Sequence, residues 1–114
     1  MGMPKLEGAA RKKPLCYDPE RGKFITFDEI LSGAEAIVPL ERLSAEEVKR
    51  LVIERQRVGS DYRAQAMSGP VMSRDDVVEA ILHDEPFGLA TVEAELSHLE
   101  DLLRQIEKAL RQAG

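Results

Sequence analysis

The chain has no Trp, and its 114 residues include only three Phe and two Tyr. A core built from this sequence must therefore be mostly aliphatic, although 43% of the residues are hydrophobic. A chain of this length forms one small domain, which excludes a large two-lobed enzyme. Small helical assemblies typically have such a composition.

Cysteine, histidine and long apolar runs are also scarce. Cys16 has no partner for an internal disulfide, and His83 and His98 lie 15 positions apart, without the spacing of a zinc site. No apolar run approaches the roughly 20 residues that a membrane-spanning helix needs. The first residues contain no continuous apolar segment of the kind found in a secretory signal. We therefore expect a cytoplasmic protein without a cofactor, a bound metal or a membrane partner.

The charge is unevenly distributed along the chain. The formal net charge is −5, yet residues 1–24 carry six Lys and Arg against three acids, while the rest carries ten against 18. An acidic body repels phosphate backbones, and Arg11, Lys12 and Lys13 alone make a small basic footprint. The charge pattern thus disfavours a nucleic-acid partner.

The front of the chain predicts two kinds of structure. Residues 1–14 are rich in Gly, Ala, Pro and basic residues without periodicity, which predicts a flexible basic arm before a single helical domain over 15–114. In that domain, two strand-like runs flank Asp18-Pro19-Glu20-Arg21-Gly22, so we predict a β-hairpin within 15–27. An isolated hairpin is marginal in water, so it must lie on the helices or on another subunit.

At three predicted helix starts, a Ser or Thr is followed three positions later by an acid, as in a capping box. The pairs are Thr26 with Glu29, Ser44 with Glu47 and Ser73 with Asp76. Each pair predicts the start of a helix, and glycine at Gly33 closes the first one.

Further helix boundaries follow from single residues. Asp61 is a candidate cap for one more helical turn through Tyr62, Ala64 and Met67. The run from Asp84 to Gly88 predicts the end of the preceding helix, and Thr91 is the predicted cap of a long last helix that reaches about Gln112. These signals favour an all-α fold of three to four helices with the hairpin arm in front.

The last helix, predicted over 89–112, carries apolar residues at alternating three- and four-residue intervals. They are Leu89, Val92, Leu96, Leu99, Leu103, Ile106 and Leu110. Such a stripe must pack against another helix, either of the same chain or of a partner. We predict these seven residues as interface residues, whether the helix that they contact belongs to the same chain or to another. Glu100 with Arg104 and Glu107 with Arg111 are spaced to form i,i+4 ion pairs.

Charged pairs and arginines elsewhere have structural explanations. Asp75-Asp76 and Asp84-Glu85 fall at a helix start and a turn, where acids are stabilised without catalytic work. Cys16 has no neighbouring base in the sequence and reads as a small hydrophobic residue of a strand. The arginines at 55, 57 and 63 lie among acids and are expected on a solvated helix face. We predict no catalytic residue on this chain, and whether it belongs to an enzyme stays open.

One nine-residue segment resembles a known family. Ile25-Thr26-Phe27-Asp28-Glu29-Ile30-Leu31-Ser32-Gly33 is similar to Ile-Thr-Leu-Glu-x-Val-Leu-Ser-Gly in the small subunit of adenosylcobalamin-dependent diol and glycerol dehydratases. Later segments follow a similar order: Leu43-Ser44, Asp75-Asp76-Val77-Val78 and Ala94-Glu95-Leu96. The family's Arg-Arg-Ala-Ala-Glu-Leu run is missing. The resemblance covers about residues 23–100 and implies an accessory helical subunit that clasps a large barrel subunit, with substrate and cobalamin sites mainly on other chains.

The sequence thus predicts a non-catalytic accessory subunit or adaptor that joins a larger protein by helix packing and is oligomeric. A free-standing homodimeric coiled-coil adaptor joined through residues 89–112 is the alternative. A small nucleic-acid-binding regulator is the third hypothesis.

Overall fold

A computed structural model describes residues 2–58, 63–65 and 71–113. In chain order the elements are α1 (Ala9–Lys12), β1 (Pro14–Asp18), β2 (Lys23–Thr26), α2 (Phe27–Ser32), a 3₁₀ helix (Leu40–Arg42), α3 (Ala45–Val58), β3 (Arg63–Gln65), β4 (Val71–Ser73), α4 (Arg74–Leu82) and α5 (Pro86–Ala113). The fold is mostly α-helical, as predicted. The described part holds five α-helices, one of them the unpredicted single turn α1.

The predicted N-terminal hairpin is present. Strands β1 and β2 pair antiparallel, with Tyr17 opposite Phe24 and a register shift between Pro14 and Cys16. The rings of Tyr17 and Phe24 pack with centroids 4.9 Å apart. The turn needs a left-handed residue, and Gly22 supplies it with φ of 63°.

The predicted capping boxes start three helices. At Thr26 and at Ser73 the side-chain oxygen accepts a bond from the amide three residues on, and the acid there accepts from the cap amide. Ser44 and Glu47 make the same reciprocal bonds before α3. Gly33, at φ 80°, closes α2 as predicted.

The predicted helical turn after Asp61 is wrong where the structure describes it. Arg63–Gln65 forms a strand that pairs antiparallel with β4, so Ala64 lies opposite Met72. Asp61, Tyr62 and Met67 lie outside the described residues. The short pairing between two helices satisfies backbone groups that one helical turn would leave open.

The predicted start of the last helix at Thr91 is also wrong. α5 begins five residues earlier at Pro86, because proline is well suited to the first helical position, where no amide donor is required. Thr91 lies inside the helix and donates its hydroxyl to the Phe87 carbonyl. Gly88 also lies inside the helix. A Cβ at this position would collide with the backbone carbonyl of Ala80 in α4.

Two clusters of buried side chains form the core, and α5 contributes to both. The first cluster joins the hairpin, α2 and the 3₁₀ helix to the second half of α5, with Leu15, Ile25 and Phe27 among its members. The second joins α3 and α4, with Phe87 and Val92 of the first half of α5 packed against it. α5 is thus the element against which both ends of the domain pack.

The basic arm contacts the body in this structure. Arg11 donates to Asp28 at 2.9 Å and lies over the ring of Phe27, and Met3 and Leu6 pack against the first cluster. Mobility of residues 1–14 stays a prediction. Among the described segments, no helix combines the length and apolar content needed to cross a bilayer.

Candidate functional site

The middle of the predicted interface stripe is covered by the chain itself. Leu99 and Ile106 are 0% exposed and Leu103 is 5% exposed, all within the first cluster. The buried members of that cluster outside α5 come from the hairpin, α2, the 3₁₀ helix and Leu51 of α3, so the hairpin and α5 share one core. In this structure these three positions are therefore inaccessible to a second chain unless the hairpin moves away.

Of the remaining stripe residues, two are partly buried and two are exposed. Leu96 packs at the edge of the first cluster and Val92 at the edge of the second. Leu89 and Leu110 are 47% and 38% exposed. They lie 21 residues apart, which on a helix is about 30 Å, so they form two separate apolar spots. That the stripe forms an intermolecular interface stays a prediction.

An open groove lies beside the covered stretch of α5. Its volume is about 370 Å³, and we call it the α5 groove. One side is formed by Ile37, Pro39, Leu40 and Glu41, and the other by Glu100, Leu103, Arg104 and Glu107. The α5 residues have i, i+3, i+4 and i+7 spacing, so they share one face of the helix.

The opposite wall is held in place by the hairpin. After Gly33 ends α2, the chain runs to the 3₁₀ helix, and Ile37 and Leu40 pack into the first cluster. Glu35 in this run accepts an ion pair from Arg21 at 2.5 Å and another from Lys23 at 3.2 Å. These cations lower the pKa of Glu35, Arg21 having the larger effect. The groove wall is thus anchored by apolar contacts below and by ion pairs at its start.

The charges in the groove are mainly negative. The predicted pair between Glu100 and Arg104 is wrong, because Arg104 instead donates to Asp101 at 3.1 Å. Among the described residues, no ion pair joins Glu41, Glu100 or Glu107 to a cation. These three carboxylates are exposed along the groove and are free to meet a positively charged group.

The side chains that could serve in catalysis or metal binding do not form one cluster in the described residues. Glu79 lies 3.0 Å from His83, Asp84 pairs with Lys49, and His98 is exposed on α5. Burial raises the pKa of the Cys16 thiol to about 11, which keeps it protonated and unreactive at neutral pH. In the described ranges no three His, Cys, Asp or Glu residues are grouped to hold a metal ion.

Arg55 was expected on a solvated face and is instead 4% exposed. Its guanidinium donates to Glu95 at 2.7 Å and to the Pro14 carbonyl at 2.9 Å, which ties α3 to α5 and to β1. A signal was available in the sequence. Arg55 follows Val48 by seven residues, on the same helical face as Leu51, where a buried residue is expected.

Comparisons with protein-family models, with curated proteins and with solved structures find no match to this chain. What it does must be inferred from its own surfaces. The α5 groove combines an acidic rim with walls held by the core, and of its aliphatic side chains Ile37 is partly exposed. It is the candidate surface for contact with another protein segment.

Proposed function

We propose that the protein is an accessory subunit or adaptor that binds another protein through the α5 groove. The observation that carries the proposal is the open groove itself, in which the half-buried Ile37 lies beside carboxylates that have no ion-pair partner among the described residues. Its walls rest on buried residues, so the surface is formed before a partner arrives. Binding to a preformed surface avoids much of the cost of ordering it.

The resemblance to the small subunit of diol and glycerol dehydratases gives this proposal one concrete form. In that form the chain attaches to a large catalytic subunit and contributes packing, with the chemistry on the other chains. The nine residues that carry the resemblance, 25–33, contain the end of β2 and all of α2, and so lie directly before the wall of the groove.

The test is purification of the tagged full-length chain from its native cell, in parallel with a chain carrying Glu41→Lys and Glu107→Lys at exposed positions of the groove. We expect the unmodified chain to co-purify with one larger protein in fixed stoichiometry, and the double variant to lose that association while keeping its helical circular dichroism spectrum. Glu20→Lys, a charge reversal in the exposed turn of the hairpin, serves as the control and should retain the partner. A chain that purifies alone under all conditions would contradict the proposal.

A homodimeric adaptor is the second candidate, and the exposure of Leu89 and Leu110 favours it. The dimer would have to use these separated spots, because Leu99 and Ile106 are already covered. Light scattering across a range of concentrations distinguishes the candidates. A dimer that Leu89→Glu and Leu110→Glu dissociate would establish self-association, whereas a monomer at every concentration would leave the heteromeric subunit.

A further inference from the structure

The N-terminal residues 2–13 lie on the body of the domain, and we call them the strap. We propose that the strap is releasable and that it covers a docking surface on α2 for a protein segment of the strap's own chemistry. Such a segment has two aliphatic side chains three residues apart, followed by an Arg. The proposal does not depend on the α5 groove and follows from how the strap is held, where it turns and what it covers.

One side chain closes the strap. The guanidinium of Arg11 donates to Asp28 at 2.9 Å and to the Leu6 carbonyl at 3.3 Å. It also lies over the ring of Phe27, 5.3 Å from the ring centroid. The side chains of Arg11 and Asp28 are both exposed, so water and salt weaken their ion pair. This clasp can therefore open without disturbing the buried core.

Before Arg11, apolar contacts hold the strap to the body. Met3 and Leu6 are partly buried against the first cluster. Within the described residues, no hydrogen bond or ion pair joins residues 2–7 to the chain beyond residue 13. A terminal segment with so few contacts opens at a lower cost in free energy than the helices beneath it.

The strap turns at Gly8 in a conformation that suits glycine. This residue has φ of 58° and ψ of −134°, directly before α1. A Cβ there would meet open space, so glycine is required by the backbone and not by packing. Any other residue would be strained in the closed strap and would favour its release. The strap can thus be opened at Gly8 without changing the surface that it covers.

The covered surface is apolar. Phe27 is buried, with Arg11 on its ring, and Leu31 is already exposed one helical turn later on α2. Residues four apart share one face of a helix, so release of the strap would join the ring and Leu31 in a single apolar patch. Another segment that bound there would remove this patch from water, which stabilises the complex.

The strap itself shows which segment fits. Its aliphatic pair, Met3 and Leu6, meets the first cluster, and Arg11, five residues after Leu6, meets Asp28. A partner segment with this pattern would make the same contacts from another chain. Because the strap is tethered beside the surface, it competes at a high effective concentration. A partner therefore binds only in proportion to the fraction of released strap.

The experiment compares three full-length chains by NMR. The open variant carries Gly8→Ala with Arg11→Gln. The control variant carries Gly2→Ala with Lys12→Gln, which changes a glycine and a cation of the same strap that make no hydrogen bond or ion pair with the body in the described residues. Methyl NOEs from Met3 to the first cluster report the closed strap, and circular dichroism checks the fold of each chain.

We expect the wild type and the control variant to show the Met3 NOEs and the open variant to lose them. The ratio of released to closed strap should rise about thirtyfold in the open variant. Loss of an exposed ion pair accounts for about threefold, and strain at residue 8 for about tenfold.

Binding is then tested with a defined probe, a fluorescein-labelled peptide with the sequence of residues 2–13. Fluorescence anisotropy should show at least tenfold tighter binding to the open variant than to the wild type, and amide shifts should include Phe27 and Leu31. The same peptide with Met3→Asp and Leu6→Asp should not bind. These two substitutions in the full-length chain give a second opened protein, which should bind the unmodified peptide too.

Three results would overturn the inference. They are Met3 NOEs that persist in the open variant, equal peptide binding by the wild type and both opened proteins, and amide shifts that leave α2 unaffected. An open variant that loses its helical spectrum would also overturn it, because the strap would then be part of the core and not releasable. None of these measurements involves the α5 groove, so the proposed function stands or falls separately by co-purification.

Discussion

The two halves of α5 bury apolar faces against very different partners. The first half packs on α4, the element directly before it, and on α3, through an aliphatic cluster. The second half packs on the hairpin and α2, which lie more than 60 residues earlier in the chain, and that cluster includes Tyr17 and Phe27. The same periodicity thus serves one local and one distant contact. A stripe of this kind establishes burial but does not identify what covers it.

The largest expected effect comes from a substitution in the second half of α5, whose core includes the hairpin. Leu99→Ala removes a fully buried side chain from the first cluster and should lower the free energy of unfolding by about 3 kcal/mol. Urea denaturation followed by circular dichroism measures the loss. Leu89→Ala is the matched control at a 47% exposed position of the same helix, and about 0.5 kcal/mol is expected there. Equal losses at the two positions would show that the hairpin does not cover Leu99.

The next largest effect comes from a substitution in the first half of α5, which packs on α4. Gly88→Ala should destabilise the protein by about 2 kcal/mol, because its Cβ would meet the Ala80 backbone carbonyl and force the two helices apart. The cost of the collision outweighs the roughly 1 kcal/mol by which alanine normally stabilises a helix relative to glycine. Thermal unfolding measures the difference. Since the contact is to backbone, Ala80→Gly should not rescue the variant, and a rescue would contradict the assigned contact.

A smaller effect is the dependence of stability on pH that burial of Cys16 in the hairpin should produce. The buried Cys16 thiol has its pKa raised from 9.0 to about 11, so it stays protonated in the folded state while the unfolded chain ionises earlier. The stability that this group contributes is therefore complete below pH 9 and is lost as pH rises toward 11, at up to about 1.4 kcal/mol per pH unit. Urea midpoints at several alkaline pH values measure the slope. Cys16→Ala should show a shallower slope, and parallel slopes would mean that the thiol is exposed.

The smallest effect concerns the wall of the α5 groove. Arg21 lowers the pKa of Glu35 and of Asp18, so these carboxylates stabilise the fold above their ordinary range and lose that contribution as the pH falls below it. Arg21→Gln should lower Tm by no more than about 2 °C at neutral pH, since the ion pairs are largely exposed. The difference should vanish in acid. Arg111→Gln, at the exposed end of α5, is the control, and an equal shift there would contradict a specific role for Arg21.

Local signals in the sequence predicted local structure well. The capping pairs at Thr26, Ser44 and Ser73 each start a helix, and the turn at Gly22 joins two strands, because these features depend on bonds between residues a few positions apart. The predicted end of the helix before Asp84 is confirmed, since α4 ends at Leu82. Gly88, predicted as part of that break, instead lies inside α5, where a contact with α4 requires it to lack a Cβ. A packing contact of this kind leaves no mark in the sequence near it.

The α5 groove could not be predicted from the sequence. Its walls come from residues near 40 and near 103, and their proximity depends on how the hairpin lies on α5. The predicted pair between Glu100 and Arg104 would have neutralised Glu100. Because Arg104 pairs with Asp101 instead, the rim of the groove stays acidic. Spacing allows both pairs, and only the rotamers of the folded helix decide between them.

The most direct test of the account asks whether the centre of the stripe is covered from within the chain. Methyl NOEs from Leu99 and Ile106 to Leu15 and Ile25 are measured in a sample that mixes isotope-labelled and unlabelled chains. If the stripe is covered from within the chain, NOEs arise within a single chain only, at every concentration, with the α5 groove left open. NOEs between labelled and unlabelled chains at these methyls would contradict it and would show that the stripe pairs with a second molecule.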